Sequence, residues 1–196
     1  MDRRLLTKIT IITLLLVGVM AYAVIYVVSR LQQGAQTTTY EEPEYLFEIA
    51  PEIDFIQDFP VGEVVAGNVI EQTLVCPFDQ LYRLYVLGAT YKRDNTGTVT
   101  IELIKGTPEN EEEQIYKWDL DVSEFIDDER IELVFEKKTK GYIDTPMFIR
   151  ITSEEAEPGN AVTFWSSRND YYEDGSLSIN GYSQYGDLWF QLSGWR

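Results

Sequence analysis

Thr98-Val99-Thr100-Ile101-Glu102-Leu103-Ile104 decides the fold class, because apolar and polar side chains alternate along it with a period of two. Val99, Ile101 and Leu103 share one face of such a strand, and Thr98, Thr100 and Glu102 share the other. Asp94-Asn95-Thr96-Gly97 supplies the tight turn that leads in. Working outward, comparable strand-like runs are Asn68 to Cys76, Leu81 to Tyr91, Ile115 to Leu120, Ile131 to Glu136, Met147 to Thr152, Ala161 to Trp165 and Asp187 to Leu192, so eight strands is a minimum. Lys140-Gly141, Pro158-Gly159-Asn160, Asp174-Gly175 and Asn180-Gly181 separate runs of this kind, and Asn180-Gly181 is a strong type I′ hairpin signal. Long amphipathic helices are absent. Only Ser123-Glu124-Phe125-Ile126 suggests a helical turn, with Ser123 as its cap. The spacing predicts an all-β body over 61–196, a two-sheet antiparallel sandwich of jelly-roll type.

Ahead of this body, Ile9 to Val28 carries no charge and as a helix is long enough to cross a bilayer. Arg3, Arg4 and Lys8 precede the run, and Arg30 alone follows it closely, so the amino terminus is expected in the cytoplasm and the body outside it. Residues 1–30 thus read as a cytoplasmic start and a single transmembrane signal-anchor. Cleavage after Ala21-Tyr22-Ala23 is the competing reading, but it would leave Val24-Ile25-Tyr26-Val27-Val28 as an exposed apolar end. Residues 31–60 read as a stalk. Its first half is small and polar, whereas Leu46, Phe47, Ile49, Ile53, Phe55, Ile56 and Phe59 predict that the second half lies along the domain.

Composition removes several chemistries. The formal net charge is −17, a field that repels phosphate backbones and anionic lipid surfaces and so argues against nucleic-acid binding. There is no histidine, which removes Ser-His-Asp and Cys-His nucleophile systems and His-containing zinc sites. The single cysteine, Cys76, forbids an intramolecular disulfide and reads as a small buried residue. A glycosidase built from two carboxylates survives this filter, but no pair of acids stands out for it. No cofactor motif is present. Asp119 with Asp121, Asp127 with Asp128, and Asp170 with Asp174 could in principle offer oxygen ligands to calcium, yet none fits an EF-hand loop, and solvated turns are expected.

The residues singled out for ligand binding are aromatic. Trp165 and Trp189 alternate onto the face opposite Val162, Phe164, Leu188 and Phe190, which predicts indoles turned away from the core. Exposed rings stack on the apolar faces of pyranose sugars while acids and amides bond the hydroxyls. Tyr171, Tyr172, Tyr182, Tyr185 and Asp174 crowd the same carboxy-terminal region, and the competing reading is that these rings cover a sheet edge. Trp118, on one face with Tyr116 and Leu120, is expected to pack. The run Glu109-Asn110-Glu111-Glu112-Glu113 reads as a mobile, soluble hairpin loop.

The strings Thr90-Tyr91-Lys92-Arg93-Asp94-Asn95-Thr96-Gly97, Gly159-Asn160-Ala161-Val162-Thr163-Phe164-Trp165 and Tyr172 through Leu192 resemble an uncharacterised β-sandwich domain of bacterial membrane proteins engaged in surface-polysaccharide assembly. The matching positions are Tyr91 and Arg93, Asn95 and Gly97, Asn160 to Trp165, Tyr172 and Gly175, Asn180-Gly181, and Gly186-Asp187-Leu188. That resemblance implies a cell-envelope location and no settled activity, and this chain has a single span where that group has multi-pass enzyme portions. Asn160, Gly175 and Gly181 read as turn formers. The expected function is a non-enzymatic, membrane-anchored module that binds a glycan or cell-envelope polysaccharide. The alternative is a structural accessory subunit that docks on a larger membrane protein assembly.

Overall fold

The computed structural model describes residues 44–45, 59–136 and 140–196, all within Pro43–Arg196, the second of two compact units; the first is Met1–Glu42. The predicted cytoplasmic start, the span 9–28 and most of the 31–60 stalk lie outside the described residues. Among the described residues no helix is long and apolar enough to cross a membrane.

The described body is all-β, in two antiparallel sheets. In chain order the strands are β1 (Glu44–Tyr45), β2 (Phe59–Pro60), β3 (Val69–Cys76), β4 (Gln80–Ala89), β5 (Thr98–Thr107), β6 (Asn110–Asp121), β7 (Glu129–Val134), β8 (Thr145–Thr152), β9 (Thr163–Ser166), β10 (Leu177–Ile179), β11 (Tyr182–Ser183) and β12 (Phe190–Trp195). One sheet runs β11-β10-β3-β8-β5-β6. In the other, β4 pairs with β7, β9 and β12, while β2 joins β9 and β1 joins β12. We call these the β3 sheet and the β4 sheet.

Alternation explains why one face of each sheet is apolar. Ile70, Leu74, Val99, Ile101, Leu103, Met147, Ile149 and Ile151 from the β3 sheet meet Leu84, Val86, Leu133, Phe164, Phe190 and Leu192 from the β4 sheet in one buried cluster. Fully burying a side chain of this size stabilises by about 1.5–3 kcal/mol, so this interleaved layer dominates the fold. Cys76 sits in it with no exposure, and burial pushes its thiol pKa up to about 11. Trp118 packs against the cluster with its ring 4.6 Å from Tyr116 and 5.1 Å from Phe135, and its Nε1 donates to the Val134 carbonyl oxygen, joining the edge strands of the two sheets.

Turn chemistry fixes the register. Asn180 (φ 53°) and Gly181 (φ 74°) both lie in the left-handed region that a type I′ hairpin needs, and the Asn180 Oδ1 accepts the Val69 amide of the neighbouring strand. The β5–β6 pair is bulged between Leu103 and Ile104 and again between Lys105 and Gly106. At Gly106 (φ 102°) a Cβ would stand 2.3 Å from the Asn110 carbonyl oxygen, so only glycine fits the second bulge.

Two local expectations are corrected. The Glu109–Glu113 acidic run is not a loop: β6 begins at Asn110, and Arg150, distant in the chain, and Lys105, across the hairpin, pair with Glu111 and Glu112 and hold these two acids in the ladder. The helical turn is a 3-10 turn over Val122–Glu124, capped by Asp121, whose Oδ1 accepts from the Ser123 amide and hydroxyl, and not by Ser123.

Candidate functional site

Alternation does put Trp165 and Trp189 on the outward face of the β4 sheet, where they cluster with Leu87 and Tyr85. Solvent reaches only one of the pair. Trp189 has 0 % exposure, with the Arg130 guanidinium 4.9 Å over its ring, so the expectation of an exposed indole is corrected there. A flat apolar ring on an outer face is stabilised when another chain element covers it, and the period of two reports only which face a residue takes.

Trp165 is half-buried and lines a groove of about 310 Å³ with Pro60, Ala89, Tyr91, Lys92, Thr163, Asp127 and Asp128. Its Nε1 donates to Asp128 Oδ1 at 2.9 Å, which fixes the rotation of the indole. Asp127 Oδ1 accepts from the Thr90 amide at 2.6 Å, the Thr90 hydroxyl at 2.9 Å and the Lys92 amide at 3.4 Å. Burial pushes the Asp127 pKa up, but those hydrogen bonds and the Lys92 charge outweigh it, and the carboxyl is held below its ordinary value. Tyr91 (φ 56°), Lys92 (φ 57°) and Asp128 (φ 60°) are three non-glycine residues in left-handed conformation around this one groove. Such backbone is costly and concentrates where a surface must hold a set shape. The sequence signalled Asp127 and Asp128 only as an acidic pair and Tyr91 only as a position of the family resemblance, and nothing in it placed Tyr91 or Lys92 beside Trp165.

The other predicted residues do not join Trp165. Tyr172 is buried against Phe190, and its hydroxyl both donates to the Val75 carbonyl and accepts the Val75 amide, so it clamps an edge of β3. Burial raises its pKa. Tyr171 is 41 % exposed and its hydroxyl accepts from Asn169 Nδ2. Tyr182 (76 %) and Tyr185 (81 %) stand out on and beside the β10–β11 hairpin, and Tyr185 lines a depression of about 360 Å³ with Phe59, Arg168, Leu177 and Ile179. Asp174 lies at a cleft on the outward face of the β3 sheet. The aromatic residues are therefore divided: Tyr172 in the core, Trp189 and Trp165 on the outward face of the β4 sheet, Tyr182 and Tyr185 at the hairpin, and Tyr171 in an exposed loop.

A buried polar network that sequence reading missed lies between β3 and the start of β12. Asp187 is 1 % exposed; its Oδ2 accepts the Tyr171 and Tyr172 amides and its Oδ1 accepts Gln72 Nε2, while Gln72 Oε1 accepts the Leu188 amide. Burial raises the Asp187 pKa against the pull of those donors. Saturated by protein donors, it is a structural carboxylate with no face toward a substrate. Arg93, Asn95 and Asn160 likewise tie loops together: Arg93 pairs with Glu63 at 2.6 Å, Asn95 Nδ2 donates to the Thr90 carbonyl, and Asn160 Oδ1 accepts the Thr96 amide. Among the described residues no group of three or more His, Cys, Asp or Glu is placed to hold a metal ion.

Neither a protein-family model nor the sequence of a curated protein matches this chain.

Proposed function

We propose that this chain is a membrane-anchored, non-enzymatic sandwich module of the cell envelope that binds a neutral glycan at the Trp165 groove, with the span 9–28 in the bilayer and the body on the extracytoplasmic side. The observation that carries the reading is the indole of Trp165, locked by Asp128 and lining an apolar-floored groove that carboxylates and Lys92 border. Ring carbons offer a stacking surface for a pyranose, and Asp127, Asp128 and Lys92 offer acceptors and a donor for its hydroxyls. The groove stands at the small end of ligand pockets, which suits one or two sugar residues. The strand order β3-β8-β5-β6 against β2-β9-β4-β7 is the interleaving of a jelly roll, extended by the β10–β11 hairpin and by β12, an architecture shared with lectin domains.

Glycan-array binding of the full chain in mild detergent tests the reading. Trp165→Ala should abolish the signal while Tyr185→Ala leaves it intact, and retention of binding by Trp165→Ala rejects the groove. A second reading, an accessory subunit of a larger membrane assembly, draws on the exposed Phe59 and Tyr185 about one depression. Co-purification of a partner that Tyr185→Ala abolishes and Trp165→Ala spares would favour it.

A further inference from the structure

A second hollow, larger than the Trp165 groove, opens on the other sheet. It is a cleft of about 680 Å³ on the outward face of the β3 sheet, floored by Thr73, Val75 and Pro146 and bounded by the β5–β6 tip at 106–109 and by the β10–β11 hairpin and the chain leading into it. Both walls are stiff: the first follows the bulge that only Gly106 fits, and the second is stapled to β3 by Asn180 and by Ser176, whose amide donates to Thr73 Oγ1.

The chemistry of the lining separates this cleft from the first site. Glu71, Glu109 and Asp174 line it, and no lysine, arginine or aromatic ring does. Glu71 is already neutralised by Arg150, whereas Glu109 and Asp174, on opposite walls, have no cationic partner among the described residues. Without a ring there is no stacking surface for a pyranose. Without three clustered ligands there is no metal site among the described residues. What remains is an open, preformed trough whose unpaired carboxylates stand across from each other, complementary to positive charge presented along an extended chain. The hydroxyls of Ser176, Ser178 and Ser183 offer hydrogen bonds to the peptide groups of such a chain.

We infer that this cleft is a second binding site, distinct from the Trp165 groove, for an extended peptide segment bearing lysine or arginine, received between Glu109 and Asp174. The inference does not depend on the glycan reading, because the two sites lie on the outward faces of different sheets and share no residue.

The test uses the full chain in mild detergent and, as the probe, a fluorescent nonapeptide of alternating lysine and serine, followed by anisotropy at low and at physiological salt. Glu109→Gln with Asp174→Asn should weaken binding about tenfold, a loss of two charge contacts. Glu124→Gln with Glu129→Gln, which removes the same charge elsewhere on the body, should change it less than about twofold. Spermine should compete poorly, since it carries the charge without the backbone. Equal losses in the two double variants would show diffuse attraction to an acidic surface and overturn the inference. Absence of binding by the unsubstituted chain, or equal binding of spermine, would overturn it as well.

Discussion

The two outward faces of the sandwich handle the same problem differently. On the β4 sheet, Leu87 and Trp189 are buried and Tyr85 and Trp165 half-buried, so the face away from the core is itself an apolar layer roofed in part by Arg130. On the β3 sheet, Phe148 and Ile104 are also buried on the outward side, but Arg150 lies 5.0 Å over the Phe148 ring and is held by Glu71 and Glu111. One face is buried mainly by contact between rings and aliphatic side chains, with a guanidinium over one indole. The other keeps an apolar patch dry beneath an ion-paired guanidinium, one of whose partners, Glu71, also lines the cleft. Burial on an outward face can therefore be separated from charge on it by substitution.

The apolar face should give the largest effect. Trp189→Ala empties a fully buried site and should cost about 3–5 kcal/mol, which in a chain of this size lowers Tm by about 10 °C. Calorimetry or thermal circular dichroism reads this directly, and a loss under about 1 kcal/mol would mean that the indole contributes little packing.

The charged face should respond less, and non-additively. Arg150→Ala strands Glu71 and uncovers Phe148, and we expect about 2–4 kcal/mol from urea melts, at the lower part of the buried-pair range because Glu111 is half-exposed. Arg150→Met combined with Glu71→Leu should recover most of that loss, since a well-packed apolar pair replaces two charges. If the double variant is as unstable as the single, the ion pair itself holds β3 to β8, and the contrast between the faces is weaker than drawn.

Asp187 lies between these cases, a charge held in the core by amides alone. Asp187→Asn turns an NH₂ toward groups that all donate, and should cost about 1–3 kcal/mol. Its pH dependence has a definite sign. Burial raises the native pKa above the unfolded value, so the native state binds the proton more readily. The contribution of this group to stability is full below the unfolded pKa of about 3.9 and declines as pH rises through the raised native value. The destabilisation by Asp187→Asn, compared in urea at pH 4 and pH 7, should thus be larger at pH 4. A larger loss at pH 7 would show that the three donors outweigh burial.

The hairpins and the core were legible because each depends on local chemistry. Thr98–Ile104 alternates as required, and Asn180-Gly181 can adopt the positive φ angles that few other pairs tolerate. What escaped notice depends on partners distant in the chain. The acids of 109–113 looked like a solvated loop because Arg150, about forty positions away, neutralises one of them. Trp189 looked exposed because a period of two distinguishes the faces of a strand but cannot tell which face another element covers. Tyr172 looked like part of a platform, yet Val75, 97 positions earlier, takes its hydroxyl. For the candidate site, Trp165 was visible as an outward ring. The place of Tyr91 and Lys92 beside it was not, since left-handed tyrosine and lysine follow from the loop's closure on Asp127 and from no preference of their own.

The smallest effect is expected where the two functions of one side chain can be separated. Trp165→Phe keeps an aromatic ring on the outward face of the β4 sheet but removes Nε1, and with it the bond to Asp128. A half-buried hydrogen bond of this kind contributes about 0.5–1.5 kcal/mol, so the Tm should fall by only a few degrees. Glycan binding through the ring face should weaken and not vanish, because a phenyl ring still stacks but is free to rotate. Trp165→Ala, which removes the surface itself, should abolish it. If Phe and Ala variants bind alike, orientation by Asp128 contributes nothing, and the groove's left-handed residues shape it for some purpose other than stacking.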